Sequence, residues 1–386
     1  MIPISNILKS YDLKKLTIAV LGGHSGLDVC HGAKKLGFRT LAVCQKGREK
    51  TYSHYYKSQD GKGCVDEVML LDKFSDVLDK KNQQRLLDLN TIFVHNRYFW
   101  VYFKDFNKIE KDFKVPIFGT RHMVRLEERD EPGNQYGLLK KAGIRTPKIF
   151  RKGGEILSEK NLSKLLDKHF VNMGGGPLLV KAAEEERGYE RDFFTITTEK
   201  DYFNERSKRN AKLVDRATIE EYVIGPQINF NYFYSPLAKR LELMGTDTRR
   251  QTNLDGFLRL SAQEQLDLLQ SGFRPSMIEN GHIACTVKES ILEKAFELGE
   301  KFVKTTQKVC KPGIIGPFAL QGAYVSEQGK EDFVVFDVSM RIPGSPGTRF
   351  TPYTGYLHGE TISYGERIAM EIKSAAEKER LEELLT

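Results

Sequence analysis

A chain of 386 residues, with 40% hydrophobic and 29% charged residues, has the length for about two to three globular domains and the composition to give each of them a core. Its apolar runs are far shorter than the roughly 20 residues of a membrane-spanning helix, and its N-terminus lacks the apolar stretch of a secretory signal. The formal net charge of +8 suits a phosphorylated small substrate better than nucleic acid, because basic and acidic residues are interleaved along the chain.

The first segment alternates strands and helices. The run LTIAVLGG (16–23) predicts a buried strand, HSGLDVCHGAKKLGF (24–38) has the spacing of a helix, and RTLAVCQ (39–45) predicts a second buried strand. Strand, glycine turn, helix and strand make a βαβ unit, which implies a parallel sheet. Further strands are predicted at 65–72, 90–95 and 115–120. We therefore expect a doubly wound α/β domain in this part of the chain.

The rest of the chain has a different pattern. Residues 125–150 predict a helix that ends at Gly143 and continues as an extended segment. Short runs rich in β-branched and aromatic residues predict an antiparallel sheet from strands at 176–185, 191–198, 217–225, 227–235 and 240–250. Two further strands are predicted at FALQGAYV (318–325) and DFVVFDVSMRI (332–342), and amphipathic helices are predicted at 287–309 and 362–385.

The GGHSG turn (22–26) follows the first strand and opens a helix. Backbone N–H groups and the dipole at a helix N-terminus favour anions, and glycines allow close approach. His24 is expected to project from this turn at the C-terminal edge of the parallel sheet, where ligands bind in such folds. The alternative is a tight turn with a surface histidine. The turn lacks the GxGxxG pattern, so we do not expect a dinucleotide cofactor.

Two lysines and a pair of glutamates point to a nucleotide. Lys181 ends the strand PLLVK, and Lys148 follows a Gly-Ile-Arg-Thr-Pro turn. A lysine that ends a buried strand can reach nucleotide phosphates as a point charge. The stretch EEYVIG (220–225) is typical of a hinge strand with a carboxylate beside an adenine and ribose pocket. Solvated lysines and an edge strand with exposed glutamates are the alternatives, but the combination favours ATP.

These motifs occur in the order found in ATP-grasp enzymes, which the chain resembles. They are TPK (146–148), VK (180–181), EEYVIG, and Gln321 followed by Asp337 and Arg341. Over nearly its whole length the chain is similar to the archaeal formate-dependent FAICAR synthetase family. The stretches that carry this resemblance are LGGHSGLDVCHGAKKLGF, YFYSPLAKRLELMGTDTRRQTNLDGFLRL, IIGPFALQGAY, DVSMRI and YGERIAMEIK.

The resemblance implies an ATP-grasp fold, of mixed α/β and α+β class, with an N-terminal doubly wound parallel-sheet domain. The implied domains are the N-terminal domain at 1–123, a small ATP-grasp subdomain at 124–222, and a C-terminal subdomain with the metal site at 223–386. The implied reaction joins formate to AICAR ribonucleotide through formyl phosphate and forms FAICAR in IMP biosynthesis. The implied cofactors are ATP and Mg²⁺ or Mn²⁺.

The implied partners are small molecules, namely AICAR ribonucleotide, formate and ATP, with neither nucleic acid nor a membrane. A homo-oligomer remains open. The five cysteines are scattered and contain no CxxC pair, which argues against a disulfide framework and against structural zinc. We therefore expect a cytoplasmic protein.

The resemblance also assigns roles to individual positions. Those expected to bind AICAR ribonucleotide are His24, Ser25, Arg97 and Asn253. Those expected to bind ATP are Lys148, Lys181, Glu220 and Glu221. The two expected metal ligands are Gln321 and Asp337. Arg341 takes the position of the catalytic arginine that steadies phosphate or substrate.

The chain departs from the family pattern at some of these positions. Gln321 and Asp337 each stand where the family usually has Glu, and the segment PGSPGTRFTPYTG (343–355) and the neighbourhood of Arg97 also differ. An amide oxygen can still ligate magnesium, although it brings no charge. Two alternatives therefore remain: an ATP-grasp ligase with another acid or amine substrate, and a non-catalytic nucleotide-binding paralogue.

Overall fold

The computed structural model describes residues 2–103, 105–182, 193–327 and 329–386, which contain three β-sheets. The first sheet is parallel and belongs to the N-terminal part of the chain. Its elements in chain order are α1 (Ile4–Leu8), β1 (Thr17–Leu21), α2 (Gly26–Lys35), β2 (Arg39–Gln45), β3 (Glu67–Leu71), α3 (Lys80–Asp88), β4 (Thr91–Val94), α4 (Arg97–Val101) and β5 (Ile117–Phe118). The strand order is β3-β2-β1-β4-β5, which confirms the predicted doubly wound sheet.

The central strand β1 shows why this sheet needs layers on both faces. All its residues are buried, and successive side chains point to opposite faces. Ile18 and Val20 belong to a core shared with α2, whereas Ala19 and Leu21 belong to a second core that contains Phe99. A strand with apolar residues on both faces is stable only where both faces are covered.

The second sheet is antiparallel and has the order β6-β9-β7-β8. The elements of this part are α5 (Gln135–Lys141), β6 (Ile149–Arg151), α6 (Glu159–Asp167), β7 (Leu178–Lys181), β8 (Phe193–Ile196), α7 (Glu199–Lys208), α8 (Ala211–Arg216) and β9 (Thr218–Glu221). Its core packs Val180 and Ile219 against Tyr202 of α7. The predicted strands at 176–185 and 191–198 extend into residues 183–192, which lie outside the described residues.

The third sheet is also antiparallel and has the order β12-β11-β10-β13-β14. The elements of this part are β10 (Gln227–Ser235), β11 (Arg240–Gln251), α9 (Leu254–Phe257), α10 (Ala262–Gln270), β12 (Glu279–Cys285), α11 (Glu289–Val309), β13 (Gly316–Glu327), β14 (Lys330–Ser339), α12 (Tyr353–His358) and α13 (Tyr364–Glu377). One face packs on the long helix α11, where Phe230 and Phe318 share a core with Phe302.

The prediction of a single antiparallel sheet was wrong, because the strands on either side of residue 225 belong to different sheets. β9 pairs with β6 and β7, whereas β10 pairs with β11 and β13. Gly225 separates them at a close crossing, since a Cβ there would lie 1.9 Å from the carbonyl oxygen of Tyr324. Strand β12 was not predicted, because its sequence ENGHIAC has few β-branched or aromatic residues.

The two long amphipathic helices were predicted, but the C-terminal one is shorter than expected. α11 spans Glu289–Val309, and α13 ends at Glu377 shortly before Glu379, whose φ of +56° does not continue a helix. Within the described residues, no helix combines the length and the apolar character needed to cross a bilayer.

Helix α13 packs against both the first domain and the third sheet and so connects them. Its Gly365 packs directly on Gly32 of α2, where a Cβ on Gly32 would lie 2.0 Å from the Gly365 carbonyl carbon. On the side of the third sheet, the Arg367 guanidinium donates to both oxygens of Glu242 at 2.7 and 2.9 Å and to Glu371 at 2.8 Å. All three charged groups are buried, so their mutual pairing is what makes the burial tolerable.

We predict that Arg367→Met lowers the free energy of unfolding by about 3–5 kcal/mol, because Glu242 and Glu371 would lose the guanidinium that pairs with both. His358 beside Glu242 and Ser235 beside Glu371 would remain. Urea unfolding at neutral pH measures the difference. The matched control is Arg380→Met, which removes an arginine paired with Glu383 on the surface and should change stability far less, because exposed ion pairs contribute little. Equal losses in the two variants would contradict the prediction.

Candidate active site

The face of the third sheet that points away from α11 is polar. Its polar residues recur at every second position, because alternate residues of a strand share a face. They are Asn229 and Asn231 of β10, Asp247 and Arg249 of β11, His282 of β12, Gln321 of β13, and Asp337 and Ser339 of β14. We call these eight residues the polar face. A β-bulge interrupts the β13–β14 pairing beside Gln321, as is common next to functional sites.

Two cavities lie over the polar face. The first cavity, of about 260 Å³, is enclosed by most of the polar face, by His24 and Arg97 of the N-terminal domain, and by Arg341. The second cavity, of about 60 Å³, lies between the second and third sheets and is lined by Lys181, among others. Arg249 and Asp337 line both cavities, so the two spaces meet at these side chains.

His24 enters the first cavity from the turn between β1 and α2. It has a left-handed backbone with φ of +51°, which is uncommon for a residue other than glycine and is typical of functional turns. Its Nδ1 lies 2.9 Å from the Ser25 hydroxyl, which donates its proton to the Pro343 carbonyl at 2.8 Å. Nδ1 must therefore be the donor to Ser25, which leaves Nε2 as an acceptor. Burial, with Arg341 and Arg97 nearby, holds the pKa of His24 well below its ordinary value.

Arg341 lies buried at the floor of the first cavity. Its Nη2 is 3.4 Å from a Glu127 carboxylate oxygen, and its Nη1 donates to the Ile342 carbonyl at 3.2 Å. Its Nε is buried and has no hydrogen-bond partner among the described residues. Burial raises the pKa of Glu127, although Arg341 acts in the opposite direction. Because the buried Nε–H of Arg341 has no partner among the described residues, it can donate a hydrogen bond to an anion in the cavity.

Asp247 and His282 belong to a hydrogen-bonded network of charged groups beside the first cavity. Asn229 and Asn231 donate to the two Asp247 oxygens at 3.0 and 2.5 Å, and His282 Nδ1 lies 2.5 Å from Asp247. His282 Nε2 lies 2.6 Å from Glu279. Burial opposes the charged imidazole, but these hydrogen bonds and carboxylates outweigh it and raise the pKa of His282 to about 9. His282 is therefore cationic at neutral pH.

Lys181 lies buried in the second cavity. Its ammonium group is 2.5 Å from a Glu220 oxygen and donates to the Phe336 carbonyl at 3.2 Å. The Tyr136 hydroxyl donates to the other Glu220 oxygen. Burial lowers the pKa of Lys181 to about 8, although Glu220 acts in the opposite direction. The cavity thus offers a desolvated cation beside aromatic and aliphatic walls, which include Phe193 and Leu179.

Comparison with known proteins identifies the family. Residues 18–150 match a family described as a protein of unknown function (DUF1246), and residues 200–386 match a domain of unknown function (DUF1297). A curated relative from Methanopyrus kandleri, "5-formaminoimidazole-4-carboxamide-1-(beta)-D-ribofuranosyl 5'-monophosphate synthetase", is 34% identical over 390 residues, covering 99% of this chain and 98% of the relative. The relative of the same name from Methanobrevibacter smithii is 35% identical over 395 residues, with the same coverage. The chain belongs to this synthetase family.

Solved structures show that the fold of this synthetase is ATP-grasp. The structure of an IMP biosynthesis protein PurP from Thermococcus kodakaraensis matches with a TM-score of 0.63 and 24% identity, covering 96% of this chain and 100% of that chain. The ADP complex of purK, an N5-carboxyaminoimidazole ribonucleotide synthetase, matches with a TM-score of 0.58 and 12% identity, covering 86% of this chain and 71% of that chain. The expected ATP-grasp fold is thereby confirmed.

Most of the positions assigned by resemblance gather at the two cavities of this synthetase. Those that line the first cavity are His24, Arg97, Gln321, Asp337 and Arg341. Those that line the second are Lys181, Glu220, Glu221 and Asp337. Ser25 lies behind His24 and orients it. The chemical roles given to these residues remain predictions.

Lys148 and Asn253 lie apart from both cavity walls. Lys148 is exposed, with its ammonium group over the Phe150 ring at 5.0 Å, and its backbone N–H donates to Glu221 at 3.2 Å. Asn253 is exposed in a loop, where its side-chain oxygen accepts from the backbone N–H of Ser276 at 2.5 Å. Their ligand-binding roles also remain predictions, since neither side chain lines the first or the second cavity.

Gln321 and Asp337 face each other in the β13–β14 ladder, but their contacts do not fit a resident metal ion. The Gln321 amide oxygen accepts from Arg249, and its amide nitrogen donates to the Ser339 hydroxyl at 3.0 Å. Asp337 is held 2.8 Å from Arg129. Within the described part of the chain, no group of three His, Cys, Asp or Glu side chains is arranged to hold a metal. A guanidinium group already supplies the positive charge at this position.

Sequence reasoning assigned no role to four residues that are linked by hydrogen bonds and ion pairs, namely Asp247, Arg249, Glu279 and His282. Part of the signal was present in β10, where Asn229 and Asn231 alternate with apolar and aromatic residues. In β11, Asp247 and Arg249 stand among other polar residues, so alternation did not single them out. The other two lie on β12, which was not predicted.

We predict that His282 makes the stability of the protein depend on pH. Its pKa is raised from 6.5 to about 9, so its contribution is fully present below pH 6.5 and is lost as the pH rises through 9. For this group alone the loss is roughly 3 kcal/mol. Urea unfolding between pH 6.5 and 9.5 should show a smaller decline for His282→Gln than for wild type. The control His54→Gln, at an exposed histidine, should decline as wild type does, and a parallel decline for His282→Gln would refute the prediction.

Proposed function

We propose that the protein is an ATP- and formate-dependent carbon–nitrogen ligase that converts AICAR ribonucleotide to its formamido product, FAICAR, in IMP biosynthesis. The observation that carries this proposal is the meeting of two cavities at Arg249 and Asp337. A ligase of this type needs a site for ATP, a site for the amine, and a shared point where the phosphoryl group passes to the acid. Membership of the synthetase family and the ATP-grasp fold support the same reaction.

The chemistry requires two steps that must occur without free water. Formate is a poor electrophile, because its carbon belongs to an anionic carboxylate group. Transfer of the γ-phosphoryl group breaks the terminal P–O bond of ATP, forms a bond to a formate oxygen, and releases ADP. The amine of the ribonucleotide then attacks the formyl carbon, the bond to phosphate breaks, and the amine loses a proton. Formyl phosphate reacts readily with water, so a site that limits the access of water would protect it.

The side chains that line the second cavity suit ATP in their chemistry. Lys181 offers a desolvated ammonium group for the phosphates, and a point charge in a site that excludes water acts more strongly than one in solvent. Phe193, Leu179 and Tyr222 offer flat or apolar surface for a base. Mg²⁺ or Mn²⁺ would enter with ATP as the counter-ion of its phosphates.

The first cavity suits the ribonucleotide. Arg341 supplies positive charge for its phosphate, and the neutral imidazole of His24 presents Nε2 as an acceptor for a substrate hydroxyl or amine. Because the cations of this cavity are buried, an anion that enters it exchanges water for charge-assisted hydrogen bonds.

We also propose the domain division 1–123, 124–222 and 223–386. The strands of the first sheet lie at 17–118, those of the second at 149–221 and those of the third at 227–339, which supports these boundaries. A cytoplasmic setting belongs to the same proposal, and the five free cysteines support it.

The reaction is tested by ADP release from ATP with combinations of AICAR ribonucleotide and formate. We expect ADP release only when both are present, together with formation of the formamido ribonucleotide. Acetate and bicarbonate serve as competing acids. Turnover with another acid but not with formate would indicate a ligase of different specificity. Tight ATP binding without turnover under any acid would indicate a non-catalytic nucleotide-binding protein.

We predict that the two cavities can be impaired separately. Lys181→Met should weaken ATP by about one to two decades, because a charge-assisted contact worth roughly 1.5–3 kcal/mol is lost. His24→Ala should weaken AICAR ribonucleotide by roughly 1 kcal/mol, or about fivefold, and leave ATP affinity near that of wild type.

Calorimetry of each ligand with each folded variant measures this pattern. The control is Lys152→Met, an exposed lysine outside both cavity walls, which should affect neither ligand. If both site variants weakened both ligands equally, the turn and the strand end would be structural features and not separate binding sites.

A further inference from the structure

Arg249, to which the resemblance assigns no role, is a cationic side chain that lines both cavities, as the carboxylate of Asp337 also does. Only 12% of its side chain is exposed. Its Nε lies 3.0 Å from Glu279, and its Nη2 lies 3.6 Å from Asp337. In the reaction proposed above, the transferred phosphoryl group must occupy the junction of the two cavities, which is where this guanidinium lies.

The side-chain amide of Gln321 orients the Arg249 guanidinium, because one end of the amide contacts Arg249 and the other end is held by Ser339. The amide oxygen accepts from Arg249 Nη2, and the amide nitrogen donates to Ser339 at 3.0 Å. Arg249 fixes which end of the amide faces it, because a guanidinium only donates hydrogen bonds. The amide oxygen must therefore face Arg249, and the amide nitrogen faces the Ser339 hydroxyl. Gln321 is 6% exposed, so this arrangement is buried.

The neutrality of Gln321 matters because Arg249 already has two anionic neighbours, Glu279 and Asp337. A third carboxylate would surround the guanidinium with negative charge and would repel a phosphoryl group that carries negative charge itself. An amide supplies the same hydrogen bond without the charge. The two carboxylate neighbours of Arg249 are each shared with another cation, Asp337 with Arg129 and Glu279 with His282. The planar guanidinium of Arg249 is therefore suited to binding phosphoryl oxygens by two parallel N–H donors.

We propose that Arg249 binds the phosphoryl group as it passes from ATP to formate, and that Gln321 is a positioning residue for Arg249 and not a metal ligand. This rests on the proposed function. Arg249 contacts the non-bridging oxygens while the P–O bond to ADP breaks and the P–O bond to formate forms. The guanidinium remains protonated, and no electron or proton is transferred to it.

The first experiment measures binding without turnover, so it does not depend on the acid or the amine. Calorimetry compares ADP with the non-hydrolysable β,γ-imido analogue of ATP, and the ratio of their affinities reports the contact with the γ-phosphate. We expect Arg249→Met to weaken the analogue by about tenfold to a hundredfold more than it weakens ADP. The matched control is Arg250→Met, the next residue on β11, which is half-exposed and paired with Asp255; it should leave the ratio unchanged.

The second experiment separates a positioning role from metal ligation. Steady-state rates of Gln321→Glu are measured across a magnesium titration, beside melting curves. The proposal expects kcat to fall by about tenfold or more at saturating magnesium, with an unchanged magnesium midpoint. Gln321→Met, which removes the hydrogen bond without adding charge, should lower kcat less, and the folded Arg249→Lys variant should retain more activity than Arg249→Met.

Two results would overturn the proposal. A lower magnesium midpoint for Gln321→Glu with undiminished kcat would make position 321 a metal ligand. An unchanged ratio of analogue to ADP affinity in folded Arg249→Met would remove Arg249 from the γ-phosphate. Absence of formate-dependent turnover in wild type would instead refute the proposed reaction, and the calorimetric ratio would still decide the role of Arg249.

Discussion

The charged residues around the polar face hold one another in place, because a desolvated ion without a counter-charge costs several kcal/mol. Asp337 lies between two guanidinium groups, 2.8 Å from Arg129 and 3.6 Å from Arg249, and Arg249 lies 3.0 Å from Glu279. Arg129 comes from the segment before α5, where Asn134 donates to its carbonyl at 2.6 Å. The same chain of charges therefore fixes the positions of β11, β12 and β14 and ties the segment that leads into the second sheet to the third. Loss of one member would remove a counter-charge from each of its neighbours, so the charged groups depend on one another.

The sequence predicts those parts of the fold in which local pattern and burial agree. The run at 16–23 is apolar at every position, which specifies a strand covered on both faces, and Ile18 and Ala19 indeed lie in different cores. The assignment of the antiparallel strands to sheets could not be predicted, because pairing is decided by contacts between distant segments. Alternation in β9 and β10 is the same whether they pair with each other or with other strands, and only the crossing at Gly225 separates them. Strand β12 lies at a sheet edge and is half-buried, so its pattern is weak.

The candidate site shows the same division. His24 and Lys181 were found from strand ends, because the end of a strand and the turn after it have predictable directions. Asp247 and His282 meet only through the β11–β12 pairing, which places Asp247 opposite Ala284 and brings His282 within 2.5 Å. The sequence of either strand by itself gives no information about this contact between them. The assignment of Gln321 as a metal ligand rests on residue type, because a resemblance carries no information about Arg249. That residue comes from another strand and donates to the Gln321 amide oxygen.

The segment 343–355, which departs from the family pattern, has a defined structural task at its beginning. The Pro343 carbonyl accepts the Ser25 proton, and this contact determines that His24 Nδ1 donates and Nε2 accepts. Gly344 lies against the same ring, where a Cβ would be 2.8 Å from Nε2. A side chain at position 344 would therefore displace the imidazole from the first cavity. Without the Pro343 carbonyl contact, the Ser25 hydroxyl could donate to His24 Nδ1, and the proton could then reside on Nε2 instead. The C-terminal segment thus controls the chemistry of a histidine more than 300 residues earlier in the chain, so substitutions in this segment act on the first cavity through His24.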